Sequence, residues 1–323
     1  MYNFSTMHNI IDAKPFLKWA GGKRQLLEQF RKYFPKELSK QGGIKHFYEP
    51  FLGSGAVFFW VAQNYAIEKA HLNELNPEIY LCYIAIQKNV EAVVKSLKAY
   101  ETKYKACDDK GKEIFYYKIR KAYNLTRKGL TAKTVSKADH KRVAMTIFLN
   151  RTCFNGLYRV NSKGDFNVPF GRYRNPKICD AENLRNVAEI LQKVEITNAD
   201  FSVIKDKIES DSFVYFDPPY KPISETASFT AYSSNSFTDD DQKRLALLVR
   251  DIDSKTEAKI MLSNSAPKSD FFKKLYSGFN IKKVSATRLI NCVAEKRGKI
   301  NEILVMNYPK TAKRTALSKG RLK

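Results

Sequence analysis

The chain has 323 residues, 43% of them hydrophobic, which supports one large or two modest folded domains and excludes a disordered chain. Lysine and arginine number 57 against 33 acidic residues, and the net charge of +24 points to a polyanionic partner, nucleic acid first. The basic residues are spread along the chain and no long apolar span accompanies them, which disfavours a membrane partner.

Cys82, Cys107, Cys153, Cys179 and Cys292 are scattered, odd in number and without a CxxC pair, while His8, His46, His71 and His140 lie far apart. That pattern predicts no metal site and no disulfide framework, and it fits a reducing compartment. Met1 to Ala13 contain no apolar signal core, so a cytoplasmic protein is expected.

In chain order, Phe16-Leu17-Lys18-Trp19-Ala20-Gly21-Gly22-Lys23 reads as a loop whose paired glycines allow a tight backbone course. It feeds an amphipathic helix over Gln25–Tyr33, and its lysines could hold an anion such as a carboxylate. A strand then runs to Tyr48, followed by Glu49-Pro50-Phe51-Leu52-Gly53-Ser54-Gly55 and a helix to about Tyr65. Strand, Gly-x-Gly, helix is the opening of a nucleotide-binding α/β unit. A third glycine at the dinucleotide spacing is missing, as is Gly-Lys-Ser/Thr, which disfavours dinucleotide and P-loop readings. The next strand, Lys69–Leu75, carries Glu74 about twenty residues after the glycine turn, where an acid can accept from ribose hydroxyls.

From Asn76 to about Asn150 the pattern is helical and rich in Lys and Tyr, an insertion that interrupts the alternation of strands and helices. The charge run Lys133–Arg142 reads as a solvated face, part of which could meet phosphate. A non-periodic stretch follows from Leu149 to Arg174, interleaving Arg, Asn, Gly and aromatic residues. A loop of this length inside a compact domain is functional or disordered, and its aromatics argue against disorder. Arg can pair with guanine edges, Asn with adenine edges, and aromatics can stack or wedge.

Alternation resumes with helix Ala181–Gln192, strand Val194–Thr197, Asp200-Phe201 and a short helix. Ser212–Phe216 is an apolar, aromatic and β-branched strand that stops at Asp217-Pro218-Pro219-Tyr220. The prolines cannot extend the ladder, so Asp217 sits at the carboxyl end of a central strand, where open α/β sheets keep their ligands. A carboxylate, the free carbonyl of Pro218 and the Tyr220 ring together could grip the amino group and ring of a planar heterocycle. Beyond a Ser/Thr-rich loop to Ser236, Thr238 is the expected N-cap of an acidic-first helix. Strand Lys259–Ser263, helix Ser269–Tyr276 and strands Ile281–Ala286 and Glu302–Asn307 complete the sheet, and Lys310–Lys323 is a basic tail.

Lys18–Lys23, Glu49–Gly55 and Asp217–Tyr220 stand in an order that closely resembles the Dam-like DNA adenine-N6 methyltransferases, over roughly residues 15 to 308. The resemblance implies a Rossmann-like α/β sheet that uses S-adenosylmethionine, with an inserted, mainly helical target-recognition domain. The corresponding divisions are a cofactor-binding part over 1–76, the recognition domain over 77–178, the rest of the catalytic domain over 179–309, and a tail over 310–323. Trp19 and Lys23 would contact the cofactor, Gly53 and Gly55 line it, Glu74 hold the ribose, and Asp200 and Phe201 border its adenine; Asp217 would also reach it. Many relatives carry Asp at the position of Glu74. Lys18, Phe154, Asn155, Leu157, Arg159, Pro169 and Tyr173 would contact double-stranded DNA at GATC. Asp217, Pro218 and Tyr220 would be catalytic, the first two accepting the hydrogens of a flipped adenine amine and the third stacking on its ring. The enzyme could serve a restriction–modification system, whose endonuclease would share it without contact, or act as an orphan Dam-like enzyme. An N4-cytosine methyltransferase and a non-catalytic DNA-binding protein of the same fold are the rival readings.

Overall fold

The computed structural model describes residues 11–19, 23, 26–39, 42–126, 136–221, 237–267, 269–287 and 299–309. Gly21-Gly22, Lys133, the Ser/Thr-rich loop up to Ser236, Cys292 and the basic tail lie outside the described residues.

The strands are β1 (His46–Glu49), β2 (Lys69–Asn73), β3 (Val194–Thr197), β4 (Ser212–Phe216), β5 (Lys259–Ser265), β6 (Asn280–Thr287) and β7 (Lys299–Met306). They form one seven-stranded sheet in the order β3-β2-β1-β4-β5-β7-β6. Pairing is parallel from β3 through β5, and β7 runs against both of its neighbours. This is the Rossmann-like α/β sheet that the motifs predict. The chain leaves β1 toward one edge and returns at β4 beside it, so the strand order reverses between these two, the point at whose carboxyl ends open α/β sheets keep their ligands.

Every residue of β1 and β4 is buried, as strands covered on both faces must be. Strand periodicity then divides the core. Phe213 and Tyr215 join a cluster shared with Phe47, Tyr104 and Phe148, while Val214 and Phe216 join Leu245, Ile260 and Leu262 on the opposite face.

The helix expected over Gln25–Tyr33 is shorter in the described residues. An α-helix, α1 (Leu27–Phe30), gives way to a 3₁₀ turn over Arg31–Tyr33. Pro35 explains the stop, because the residue before a proline is pushed to extended backbone, and Phe34 has φ −64° and ψ 150°. The glycine turn leads into α2 (Ala56–Asn64), and β2 ends at Asn73, ahead of the expected Leu75. Asn76 caps α3 (Pro77–Lys105) by accepting from Glu78 N at 3.0 Å.

The α3 helix breaks at Asn89 (φ −157°, ψ 74°), whose side chain recaps the second half by accepting from Ala92 N at 3.1 Å. With α4 (Asp109–Leu125) and α5 (Lys137–Thr152) it forms the helical insertion. One guanidinium ties the three together. Arg142 donates to both Glu78 oxygens on α3, to Tyr123 O and to Thr126 Oγ1 at the end of α4. Arg142 is 3% exposed, so the reading of Lys133–Arg142 as a solvated face fails at this residue. Its carboxylate partner lies 64 positions away, and no local charge pattern announces it. The α5 helix also runs to Thr152, past the expected end at Leu149, with Cys153 N bonded to Leu149 O at 2.8 Å.

The remaining helices are α6 (Ala181–Leu191), α7 (Asp239–Lys255) and α8 (Phe271–Leu275). Thr238 and Asp241 form the reciprocal cap of α7, as its sequence predicts. Two histidines taken as distant are neighbours: His46 and His71 stack at 6.1 Å on adjacent strands, and Tyr48 stacks on His71 at 4.5 Å. Parallel pairing of β1 and β2 brings them together. No described helix is long and apolar enough to cross a membrane.

Candidate active site

Two turns meet beyond the carboxyl ends of β1 and β4. In the first, Gly53 (φ +50°) and Gly55 (φ +68°) adopt left-handed backbone that a side chain would strain. Space is closed to one as well: a Cβ would lie 3.0 Å from Trp19 Nε1 at Gly53 and 2.9 Å from the Tyr83 hydroxyl at Gly55. Trp19 is thereby placed against the turn, with its other flank on Tyr158 at 5.9 Å. Glu74, one residue past β2, accepts from Gly53 N at 2.8 Å and from Asn76 N at 2.9 Å. Its carboxyl is raised by burial, an effect that these two amides oppose.

The second turn carries Asp217. Ser263 on β5 donates to Asp217 Oδ1 at 2.8 Å, and the Tyr215 hydroxyl lies 2.9 Å from Ser263 Oγ. Lys23 Nζ is 3.0 Å from the same Asp217 oxygen and 4.3 Å from the Tyr220 ring centroid. Lys23 is only 3% exposed, so this pair acts in a low-dielectric setting where charge interactions are strong. Backbone around the turn is held by side chains of neighbouring elements. Gln242 donates to Pro219 O at 3.2 Å, Lys221 N donates to Asn264 Oδ1 at 3.3 Å, and Ser265 Oγ donates to Lys221 O at 2.7 Å.

Between the two turns sits Glu49, 2% exposed, with Oε2 buried and lacking a hydrogen-bond partner among the described residues. Burial first and the Asp217 charge second push its carboxyl well above the usual carboxylate range. Across the turns, the Phe51, Phe201 and Phe237 rings pack at 5.4 to 5.8 Å from one another. Asp200 pairs with Arg244 at 3.0 Å, and that guanidinium lies 5.0 Å from the Phe201 ring.

The stretch expected to recognise DNA, residues 149–174, lies against the same edge. Asn150 accepts from Lys18 N at 2.7 Å and donates to Lys18 O and Gly156 O, so one amide joins the first motif to this loop. Lys18 Nζ lies 4.3 Å from the Tyr173 ring, and burial lowers its pKa, with Arg151 second. Phe154 N bonds to Pro169 O, pairing the two limbs of the loop, while the Phe154 ring stays 42% exposed. Leu157 is half-buried against the core, and exposed Arg159 donates to Asn167 Oδ1 at 2.8 Å. Asn155 (φ 54°) and Arg172 (φ 51°) are the non-glycine residues with left-handed backbone among those described, and both belong to this loop. Each such residue costs on the order of 1–3 kcal/mol, which the surrounding hydrogen bonds must hold in place.

The fold therefore brings the predicted Trp19, Lys23, Gly53, Gly55, Glu74, Asp217 and Tyr220 to one sheet edge. Lys18 and the recognition stretch join the flank of this set through Asn150. Sequence reading missed Glu49, Ser263, Glu302, which accepts from the Tyr220 hydroxyl at 2.6 Å, and the Phe51–Phe237 contact. Polar residues ending an apolar strand, Ser263-Asn264-Ser265, were the available signal for one of them.

The Asp217 carboxylate and the Tyr220 ring thus lie together around Lys23, at the same sheet edge as the left-handed glycine turn. A carboxylate and an aromatic ring beside a glycine turn on a Rossmann-like sheet are groups suited to an amino-group methyltransferase. Residues 19–290 match the family model of the D12 class N6 adenine-specific DNA methyltransferases, and the chain belongs to that family. Among its relatives, it is 49% identical over 300 residues to the type II methyltransferase M.MjaIII of Methanocaldococcus jannaschii, covering 92% of this chain and 100% of that protein. It is 40% identical to the type II methyltransferase M1.LlaDCHI of Lactococcus lactis, with 93% and 97% covered. It is 30% identical to the DNA adenine methylase of Escherichia coli, with 92% and 96% covered.

Proposed function

We propose that this enzyme transfers a methyl group from S-adenosylmethionine to N6 of an adenine flipped out of double-stranded DNA at GATC, within a restriction–modification system. The observation that carries the chemistry is the Asp217 carboxylate, fixed by Ser263 and 3.0 Å from the Lys23 ammonium at the strand-order reversal. A cationic donor already lies on that oxygen and over the Tyr220 ring, which is the arrangement a purine amine would take. The type II names of the two more similar relatives support the restriction–modification context.

The residues fit the donor. Glu49 Oε2, buried and without a hydrogen-bond partner among the described residues, suits a ligand ammonium, and Lys23 suits a ligand carboxylate. Glu74 has lone pairs left for ribose hydroxyls after holding Gly53 and Asn76. Asp200 and Phe201 would border the donor's adenine within the phenylalanine cluster, and Trp19, Gly53 and Gly55 would wall the opposite side. When bound, the sulfonium supplies an electrophilic methyl carbon.

The adenine amine is a weak nucleophile because its lone pair is delocalised into the ring. Asp217 and the Pro218 carbonyl would accept its two hydrogens, favouring a more tetrahedral nitrogen and offsetting the positive charge that builds there. Lys23 must yield Asp217 for this to happen. Tyr220 would stack on the ring. The recognition domain would span 77–178, with Lys18, Phe154, Asn155, Leu157, Arg159, Pro169 and Tyr173 facing DNA.

The test is methylation of duplex DNA with radiolabelled donor, digestion to nucleosides, and cleavage of the product with methylation-sensitive and methylation-dependent GATC nucleases. N6-methyladenine and switched cleavage by both nucleases are expected. Labelled N4-methylcytosine would overturn the base, and unchanged cleavage would overturn the site.

A further inference from the structure

We propose that Glu302 is a positioning residue for the target base: its carboxylate anchors the Tyr220 phenol and so fixes the aromatic plane on which the flipped adenine stacks. This rests on the reading of Tyr220 as the stacking surface.

The Tyr220 hydroxyl donates to Glu302 Oε2 at 2.6 Å. Bonds to charged acceptors of this kind are the short and strong ones. Glu302 comes from a strand remote in sequence, 82 positions on, and reaches the site because β7 runs antiparallel. In a parallel strand, residues near the start lie at the amino end of the sheet. Reversal puts Glu302 opposite Ser265, beyond the level at which Ser263 meets Asp217. Glu302 is 9% exposed, a poor place for a carboxylate without a structural or functional partner.

The backbone on both sides of Tyr220 is already pinned, at Pro219 O by Gln242 and at Lys221 by Asn264 and Ser265. What remains free is rotation of the Tyr220 side chain. A ring attached at one end can swing about χ1 and χ2, whereas a ring held at the backbone and at the phenol cannot. Lys23 lies over the ring face at 4.3 Å, so the face that Glu302 fixes is turned toward Asp217 and its partner. Stacking on that face and hydrogen bonding to Asp217 then become a single geometric requirement, met before the base arrives.

The experiment is single-turnover methylation by Glu302→Ala, Glu302→Gln, Tyr220→Phe, Tyr220→Ala and the Glu302→Ala/Tyr220→Phe double variant. Melting temperature, calorimetric donor affinity and the fluorescence of duplex DNA with 2-aminopurine at the target position accompany it. Glu302→Ala and Tyr220→Phe are each expected to slow methyl transfer about 10-fold, with the double variant no slower than the slower single one. Glu302→Gln retains an acceptor and should recover most of the rate, and donor affinity should stay within about twofold throughout. Additive losses near 100-fold, or wild-type rates in Glu302→Ala, would overturn the proposal. So would a rate loss matched by loss of donor affinity or melting temperature, since that describes a merely structural carboxylate. A Tyr220→Ala enzyme with unchanged rate and unchanged 2-aminopurine signal would instead remove the stacking reading itself.

Discussion

The sheet edge and the recognition loop solve opposite problems with the same polar residue types. At the sheet edge the ionisable groups are inside: Lys23, Glu49 and Glu74 are 3%, 2% and 8% exposed. In the recognition loop the buried parts are scaffold, such as Phe166, Val168 and the Asn150 amide, while Arg159, Arg172 and Arg174 point to solvent. Transition-state charge is stabilised best by groups fixed in a dry site, so their desolvation is settled when the chain folds. Under the proposed function, side chains of this loop leave a rigid backbone and enter a groove to read base edges, so those charges must stay wet until DNA arrives. The left-handed Asn155 and Arg172 show how firmly that backbone is held.

Substitutions on either side should fail differently. The largest effect is expected from Asp217→Ala, which should reduce methyl transfer by at least about 10²-fold while gel-shift affinity for DNA stays close to wild type. Near wild-type turnover would erase the contrast. Next is Arg142→Ala, which leaves Glu78 buried without its guanidinium and unties α3, α4 and α5. Chemical denaturation should show about 3–5 kcal/mol of lost stability, as breaking a buried pair does.

A smaller and more selective effect is expected from Arg159→Ala, an exposed side chain held by Asn167. Competition between GATC and single-base variants should lose about 10-fold in discrimination at one position, with little change in donor affinity. A uniform loss across sequences would make Arg159 a phosphate contact instead. The mildest effect concerns Glu49. Its folded carboxyl holds a proton more tightly than an unfolded glutamate, whose pKa is about 4.3. That contribution to stability is complete below the unfolded value and fades as pH rises through the raised folded one. Glu49→Gln should therefore flatten the fall in melting temperature of the donor-free enzyme as pH rises above about 4.3.

Much of this architecture was legible because local physics decides it. Two prolines end β4 whatever surrounds them, and left-handed glycines mark the β1 turn because only glycine adopts that backbone without strain. Thr238 and its acidic first turn announced α7 for the same kind of reason. The errors share the opposite cause. Arg142 reads as solvent-facing until Glu78 is placed beside it, and His46 and His71 read as unrelated until parallel pairing stacks them.

By itself the sequence determined the two turns, the order of the motifs, the helical insertion and the surplus of positive charge. Each depends on residues within a few positions of one another or on composition alone. The tertiary structure decided which distant side chains complete the site. Ser263 reaches Asp217 through strand pairing, Glu49 lies between the two turns, and Asn150 joins Lys18 to the recognition loop. Glu302 meets Tyr220 because one strand of the sheet runs backward. Strand order and direction are set by how whole elements bury their faces, and no short stretch of residues carries that information.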